Sequence, residues 1–140
     1  MTVRRLLVAD DHAVVRDGLR EIVKRGPELA VVAEAAGGDE ALRLAWEGDC
    51  DLLVLDIALP RRNGIEVLRE LRAGGSSLPV LFFSEYEADT RTRLTAVRAG
   101  GEDFYSGSLD AATLLDRLES LSQISQHDPY KVLVVDDSRA

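Results

Sequence analysis

Short apolar runs alternate along the chain with segments whose apolar residues recur every three or four positions. The first run, RRLLVA at 4–9, stops at Asp10-Asp11. Beyond it Val15, Leu19, Ile22 and Val23 share one helical face, which Gly26-Pro27 closes. LAVVAEA at 29–35 predicts a second strand. Asp39 then reads as the N-cap of a helix carrying Ala41, Leu42, Ala45 and Trp46 on one side. DLLVLD at 51–56 is apolar almost throughout, as a strand covered on both faces requires. Asn63 and Gly64 supply turn and helix-entry chemistry ahead of Ile65, Leu68 and Leu71. PVLFFS at 79–84 predicts a fourth strand, followed by a polar helix with Leu94 and Val97 on its inner side and Gly100-Gly101 at its end. EDFYS at 102–106 predicts a fifth strand. Leu114, Leu115, Leu118 and Leu121 mark a last helix, with Asp110 near its start. Alternating strands and helices predict an α/β fold, doubly wound around a parallel sheet with right-handed crossovers.

The pattern then changes. SQISQHDP at 122–129 has no apolar period and ends in proline, which predicts a linker. YKVLVV at 130–135 begins a sixth strand and runs into Asp136-Asp137, repeating the pattern of LLVADD at 6–11. A repeat at whole-domain spacing predicts tandem domains. The expected organisation is a domain over 1–122, a linker over 123–129, and the first strand and acidic pair of a second domain over 130–140. An orphan strand of this kind is expected to pair with a sheet edge, giving a homodimer through 130–140 or through the last helices.

Composition adds bounds. The chain has 140 residues, 46% hydrophobic and 30% charged, enough to bury the core of one domain. Its net charge of −8, with no block of Lys or Arg, argues against a nucleic-acid or anionic-membrane surface. Cys50 is the single cysteine, so no intrachain disulfide forms, and it reads with Trp46 as a packing residue. The N-terminal apolar run is cut by two aspartates, unlike a signal peptide, and no run approaches the ~20 residues that span a bilayer. The expected location is cytoplasmic.

The chemistry gathers at strand ends. Open parallel sheets bind ligands beyond the carboxyl ends of their strands. Asp10 and Asp11 follow the first strand, Asp56 closes the third and Ser84 closes the fourth. If the first and third strands are neighbours, three carboxylates share one pocket and repel one another unless a cation offsets them. Mg²⁺ takes one or two carboxylates, keeps waters and leaves room for a phosphate oxygen. An aspartate beside it is then placed to act as a nucleophile. The plainer alternative makes Asp10-Asp11 a helix cap and Asp56 a strand end. The combination with Ser84 and the loop DIALPRRNG outweighs it.

These residues resemble the receiver domain of two-component response regulators, which is CheY-like, over about residues 3–122. The resemblance is carried by LLVADDHAVVRDGL, DLLVLDIALPRRNGIEVLREL, LPVLFFS and AVRAGGEDFY. It implies a flavodoxin-like sheet of order 2-1-3-4-5. It implies that Asp56 is the phosphoacceptor, that Asp11 binds Mg²⁺ directly and Asp10 largely through water, and that Asp56 and the Ala58 carbonyl complete the protein ligands. Ser84 would turn its hydroxyl toward the phosphoryl group, Phe104 would move with it, and a sensor histidine kinase or phosphotransfer protein would be the donor. The first half is more similar to receivers of DNA-binding regulators of the LuxR/NarL type. The wording around the linker resembles proteins with two receivers ahead of a cyclic-di-GMP-synthesising domain, so a second receiver and an output domain are the expected continuation, with an engineered fusion as the alternative.

One departure stands out. The family carries a Lys after its fifth strand, commonly followed by Pro. Ungapped counting puts Gly107 and Ser108 there. The missing ammonium, a compact point charge, predicts weakened switching. Arg61 and Arg62 read as a solvated pair, with the alternative that one reaches the phosphoryl group. His12 reads as a solvated helix-start residue, with the alternative that it borders the pocket. Tyr86 is expected to flank the entrance to Asp56. Two function classes follow. One is a phosphoacceptor whose chemistry is limited to its own phosphotransfer and autodephosphorylation. The other is a degenerate receiver serving as a phosphorylation-independent interaction module. A phosphatase acting on separate substrates would need a general acid near the nucleophile, and Ala58 cannot supply one.

Overall fold

The computed structural model describes residues 3–84, 90–101, 103–106 and 110–126. Tyr86, Gly107, Ser108 and residues 127–140, with the second acidic pair, lie outside them. Five strands and five helices alternate: β1 (Arg4–Ala9), α1 (Ala13–Val23), β2 (Leu29–Ala35), α2 (Gly38–Trp46), β3 (Leu52–Asp56), α3 (Gly64–Ala73), β4 (Val80–Ser84), α4 (Thr90–Arg98), β5 (Asp103–Ser106) and α5 (Ala111–Gln126). The strands form one parallel sheet in the order β2-β1-β3-β4-β5, as expected.

Period-two alternation sorts the strand residues into two cores. Leu7, Ala9, Leu53, Leu55, Val80, Phe82 and Phe104 meet α2, α3 and α4 through Leu42, Val67, Leu68, Leu71 and Ala96. Leu6, Val8, Leu52, Val54, Leu81, Phe83 and Tyr105 meet α1 and α5 through Leu19, Ile22, Val23, Leu114, Leu118 and Leu121. The strand β2 breaks the rule once. Its pairing with β1 skips Val32, because Leu6 faces Val31 while Leu7 faces Ala33. Leu29 and Val31 therefore pack on the α1 side, whereas Ala33 and Ala35 pack on the α2 side.

Several local expectations are corrected. Gly37, not Asp39, is the N-cap of α2. Asp39 and Glu40 sit in its first turn, where carboxylates meet the positive end of the helix, and Glu40 accepts a hydrogen bond from Ala36 N at 3.0 Å. On α4, Leu94 is 44% exposed and the smaller Ala96 is buried, which lets the helix sit close over Phe82. The side chain of Val97 lies outside the described residues. The last helix continues through residues 123–126, where a linker was expected, since no Gly or Pro interrupts 111–126.

Trp46 is half exposed, and its ring lies so close to Gly74 that a Cβ there would stand 2.6 Å from it. Cys50 packs against the α2–α3 core, and burial, helped by the charge of Asp51, pushes its thiol up to about 11, so it stays protonated at neutral pH. Asp51 ties the start of β3 to β1 by accepting from Arg5 N at 2.9 Å and from the Arg5 guanidinium. Burial pushes the Asp51 carboxyl up, but the bonds from Arg5 outweigh it and hold it below the usual carboxylate value.

Candidate functional site at the carboxyl ends of β1 and β3

Sheet register brings the acidic residues together. Ala9 of β1 pairs with Leu55 of β3, so Asp10 and Asp56 emerge side by side. Asp56 in turn pairs with Phe83 of β4, which puts Ser84 one step further at the same end of the sheet. Asp10 and Asp56 are only 1% and 6% exposed, whereas Asp11 is open to solvent. Asp10, Asp11, His12 and Asp56 each offer a ligand atom, all within 4.8 Å of one another.

Asp10 shows what the cluster lacks. Its Oδ1 accepts from His12 N at 2.8 Å, but its buried Oδ2 has no hydrogen-bond partner among the described residues. A buried carboxylate oxygen without a donor, beside two more carboxylates, is costly unless a cation satisfies it. The oxygen donors of Asp10, Asp11 and Asp56 fit a hard divalent ion such as Mg²⁺.

The loop after β3 holds Asp56 from below. Ala58 N donates to Asp56 Oδ1 at 3.0 Å, and Ile57 N donates to Phe83 O at 3.0 Å. Gly64 N donates to Ile57 O at 3.1 Å, drawing the start of α3 under the loop. Asn63 caps α3 in a reciprocal pair with Glu66. Between them Arg61 adopts a left-handed backbone (φ 66°) and is exposed. Arg62 is not simply solvated. Its guanidinium bridges Asp39 at 2.8 Å and Glu70, clamping the loop to α2 and α3. Phe104 faces inward from β5, its ring 6.3 Å from that of Phe82, and Ser84 is partly exposed at the strand end.

Arg16, Arg20 and Glu34, to which the motif reading gave no role, support the site. Arg16 of α1 donates to the backbone carbonyl of Asp10 and, at 3.1 Å, to Glu34 of β2. Arg20 also reaches Glu34. The guanidinium thus fixes the Asp10-Asp11 turn without entering the pocket. The sequence signal was Glu34 itself, a lone charge within the apolar run LAVVAEA. Arg16→Gln is expected to weaken Mg²⁺ binding about tenfold, the usual scale for supports of metal ligands, with the fold retained. Titration calorimetry beside a thermal melt checks this.

Residues 6–119 match the response regulator receiver domain family. The chain belongs to that family. Phosphoryl acceptance is general for it. The receiver is similar to the nitrate/nitrite response regulator protein NarL of Escherichia coli (strain K12), 32% identical over 115 residues, covering 81% of this chain and 52% of the relative. It therefore spans about half the length of that curated relative. It is 35% identical to a two-component response regulator of the LuxR family from Aurantimonas sp. SI85-9A1 (TM-score 0.80; 87% of this chain and 86% of that one covered). The response regulator domain of Thermotoga maritima CheB superposes with a TM-score of 0.75 at 32% identity, covering 91% and 99%. No helix among the described residues of the receiver is long and apolar enough to cross a membrane.

Proposed function

We propose that this receiver accepts a phosphoryl group on Asp56 from a sensor histidine kinase or phosphotransfer protein, with Mg²⁺ held by Asp10, Asp11, Asp56 and the Ala58 carbonyl. The observation that carries the reading is the meeting of Asp10, Asp11 and Asp56 around a buried, unpartnered carboxylate oxygen. The transfer balances simply. A carboxylate oxygen of Asp56 attacks the phosphorus of a phosphohistidine, the new O–P bond forms and the P–N bond breaks, leaving the donor imidazole neutral after it takes up a proton. Water later attacks the same phosphorus and releases phosphate, restoring the carboxylate. Mg²⁺, when bound, offsets the charge of the carboxylates and of the incoming phosphoryl oxygens.

The chain's own groups position the reaction. Ala58 N orients the acceptor carboxylate through its bond to Oδ1. The loop clamp of Arg62 and the Asn63 cap keep that amide in place. Ser84 stands at the end of the next strand to donate its hydroxyl to the phosphoryl group, and Phe104 is the aromatic of β5 that follows it. The weak point is Gly107. Without the family's Lys, phosphorylation proceeds but moves β5 less, so switching is weakened. The sequence of residues 130–137 repeats the pattern of residues 4–11, which fits the reading of a second receiver.

The test is intact mass after incubation with acetyl phosphate. A gain of one phosphoryl group that disappears in Asp56→Asn and on Mg²⁺ removal is expected. No gain, with Mg²⁺ still bound, would overturn phosphotransfer from that donor and favour the interaction-module reading.

A further inference from the structure

We infer that Asp103 and Arg117 form a latch over the outer edge of the sheet, and that its release lets β5 pair with β5 of a second copy of this chain. The inference stands apart from phosphotransfer at Asp56.

Among the described residues β5 pairs with β4 alone, so it is an edge strand. The register decides which of its peptide groups point outward. Leu53 N and Ile57 N donate to Pro79 O and Phe83 O, at 2.9 and 3.0 Å, so alternate residues of β4 turn their peptide groups to β3 and Phe82 turns its own to β5. Phe82 stands opposite Phe104. In a parallel pair one member bonds the residues that flank the other. Asp103 and Tyr105 therefore face β4, and the N–H and C=O of Phe104 face away from the sheet. A further strand would pair with those two groups.

Side chains already hold both. Phe104 N donates to Asp103 Oδ1 at 2.8 Å, and Arg117 of α5 donates to Phe104 O at 2.7 Å. The same guanidinium nitrogen lies 3.2 Å from Asp103 Oδ1, which closes the latch. The guanidinium reaches the edge across the Tyr105 ring, 5.7 Å from its centroid, and the Tyr105 hydroxyl accepts from Asp110 N at 2.7 Å beside the start of α5. The side chains of Arg117 and Asp103 are 37% and 34% exposed, so water competes for the pair and the latch can open.

The geometry also selects the occupant. Both outward groups belong to one residue, so Phe104 opposite Phe104 in an antiparallel pair exchanges two hydrogen bonds about a two-fold axis. The other edge of the sheet is unsuited to this. There β2 carries the skipped residue at Val32, and such an irregularity interrupts a ladder. The regular edge is β5, and the strand that complements it is its own copy.

The experiment is sedimentation velocity of the full chain over a range of concentrations, beside hydrogen exchange at the Phe104 amide read by NMR. The proteins are the unmodified chain, Arg117→Ala, Asp103→Ala and Arg91→Ala. Arg91 is exposed on α4 and controls for the lost charge. Arg117→Ala should associate about tenfold or more tightly than the unmodified chain, the scale of two added hydrogen bonds. Its Phe104 amide should exchange faster when dilute and become protected as concentration rises. Asp103→Ala, which frees the N–H of Phe104, should change in the same direction and carries the test if Arg117→Ala does not fold. Arg91→Ala should match the unmodified chain. Unchanged association in the folded variants overturns the proposal. Association without protection at Phe104 also overturns it, because the contact then lies elsewhere. Protection that is independent of concentration does the same, because the edge is then filled within one chain.

Discussion

Phe82→Ala is expected to cost about 3–5 kcal/mol of folding stability, the range for truncating a buried phenylalanine. Phe82 is 0% exposed in the middle of β4. It packs in the core beneath α2, α3 and α4, its ring tilted 40° to that of Phe104. The ring also lies against the backbone after α4, so close that a Cβ on Gly101 would stand 2.8 Å from it. Truncation leaves a cavity bounded by a strand, a glycine turn and a second aromatic, none of which is flexible enough to fill it. A domain of this size has roughly 5–15 kcal/mol in total, so the loss is a large part of it. Urea unfolding should show a much lower midpoint with an unchanged slope. Leu94→Ala, at a position of α4 that is 44% exposed, should move it by less than about 0.5 kcal/mol. A Phe82→Ala cost below about 1 kcal/mol would mean that the layer repacks and that Phe82 does not organise it.

Gly64→Val should be nearly as damaging, and closer to the chemistry. A Cβ on Gly64 would stand 2.6 Å from Asp56 O, 3.0 Å from Ile57 Cα and 3.2 Å from Asp56 C. All three are backbone atoms of the acceptor strand and its loop, so no side chain can swing aside. Gly64 N also holds Ile57 O, which ties the start of α3 to the same peptide units. Relief has to come from displacing the loop that orients Asp56 through Ala58 N. The expected cost is about 2–3 kcal/mol, at the upper end for overpacking, together with loss of phosphoryl gain from a small donor. Urea unfolding and intact mass read the two effects separately. Gly37→Ser is the matched control, because a Cβ there meets nothing within 4 Å and serine is a good N-cap. Full phosphorylation of a stable Gly64→Val protein would show that the loop tolerates the shift.

Much of this arrangement was legible in the residues. Continuous apolar runs such as LLVLD can only be strands covered on both sides, and aspartates at their carboxyl ends fall together once the first and third strands are neighbours. What escaped depends on contacts between elements. Leu94 fits a helical period, but the closeness of α4 to the sheet selects Ala96 for burial. Asp39 has the chemistry of a cap, but the chain enters the helix two residues earlier, at Gly37. His12 looks like a solvated helix start, but its Nδ1 stands 3.3 Å from Asp10 Oδ1 and 3.2 Å from Asp11 Oδ1. Arg16 and Glu34 come from different elements, so no local motif joins them.

The extra residue at Val32 has a reach beyond its own strand. Strict alternation from Leu29 and Val31 would put Glu34 on the side of α2, buried among alanines and leucines. The skipped residue inverts the parity, and the carboxylate instead meets Arg16 and Arg20 of α1. The anchoring of the Asp10-Asp11 turn therefore depends on a count of residues in an edge strand as much as on their identity. Deleting one residue from 30–33 would keep every functional side chain in the chain and still disconnect the support from the pocket. Length variation in β2 is thus a means of loosening or tightening the acidic turn from a distance, with no substitution at the turn itself.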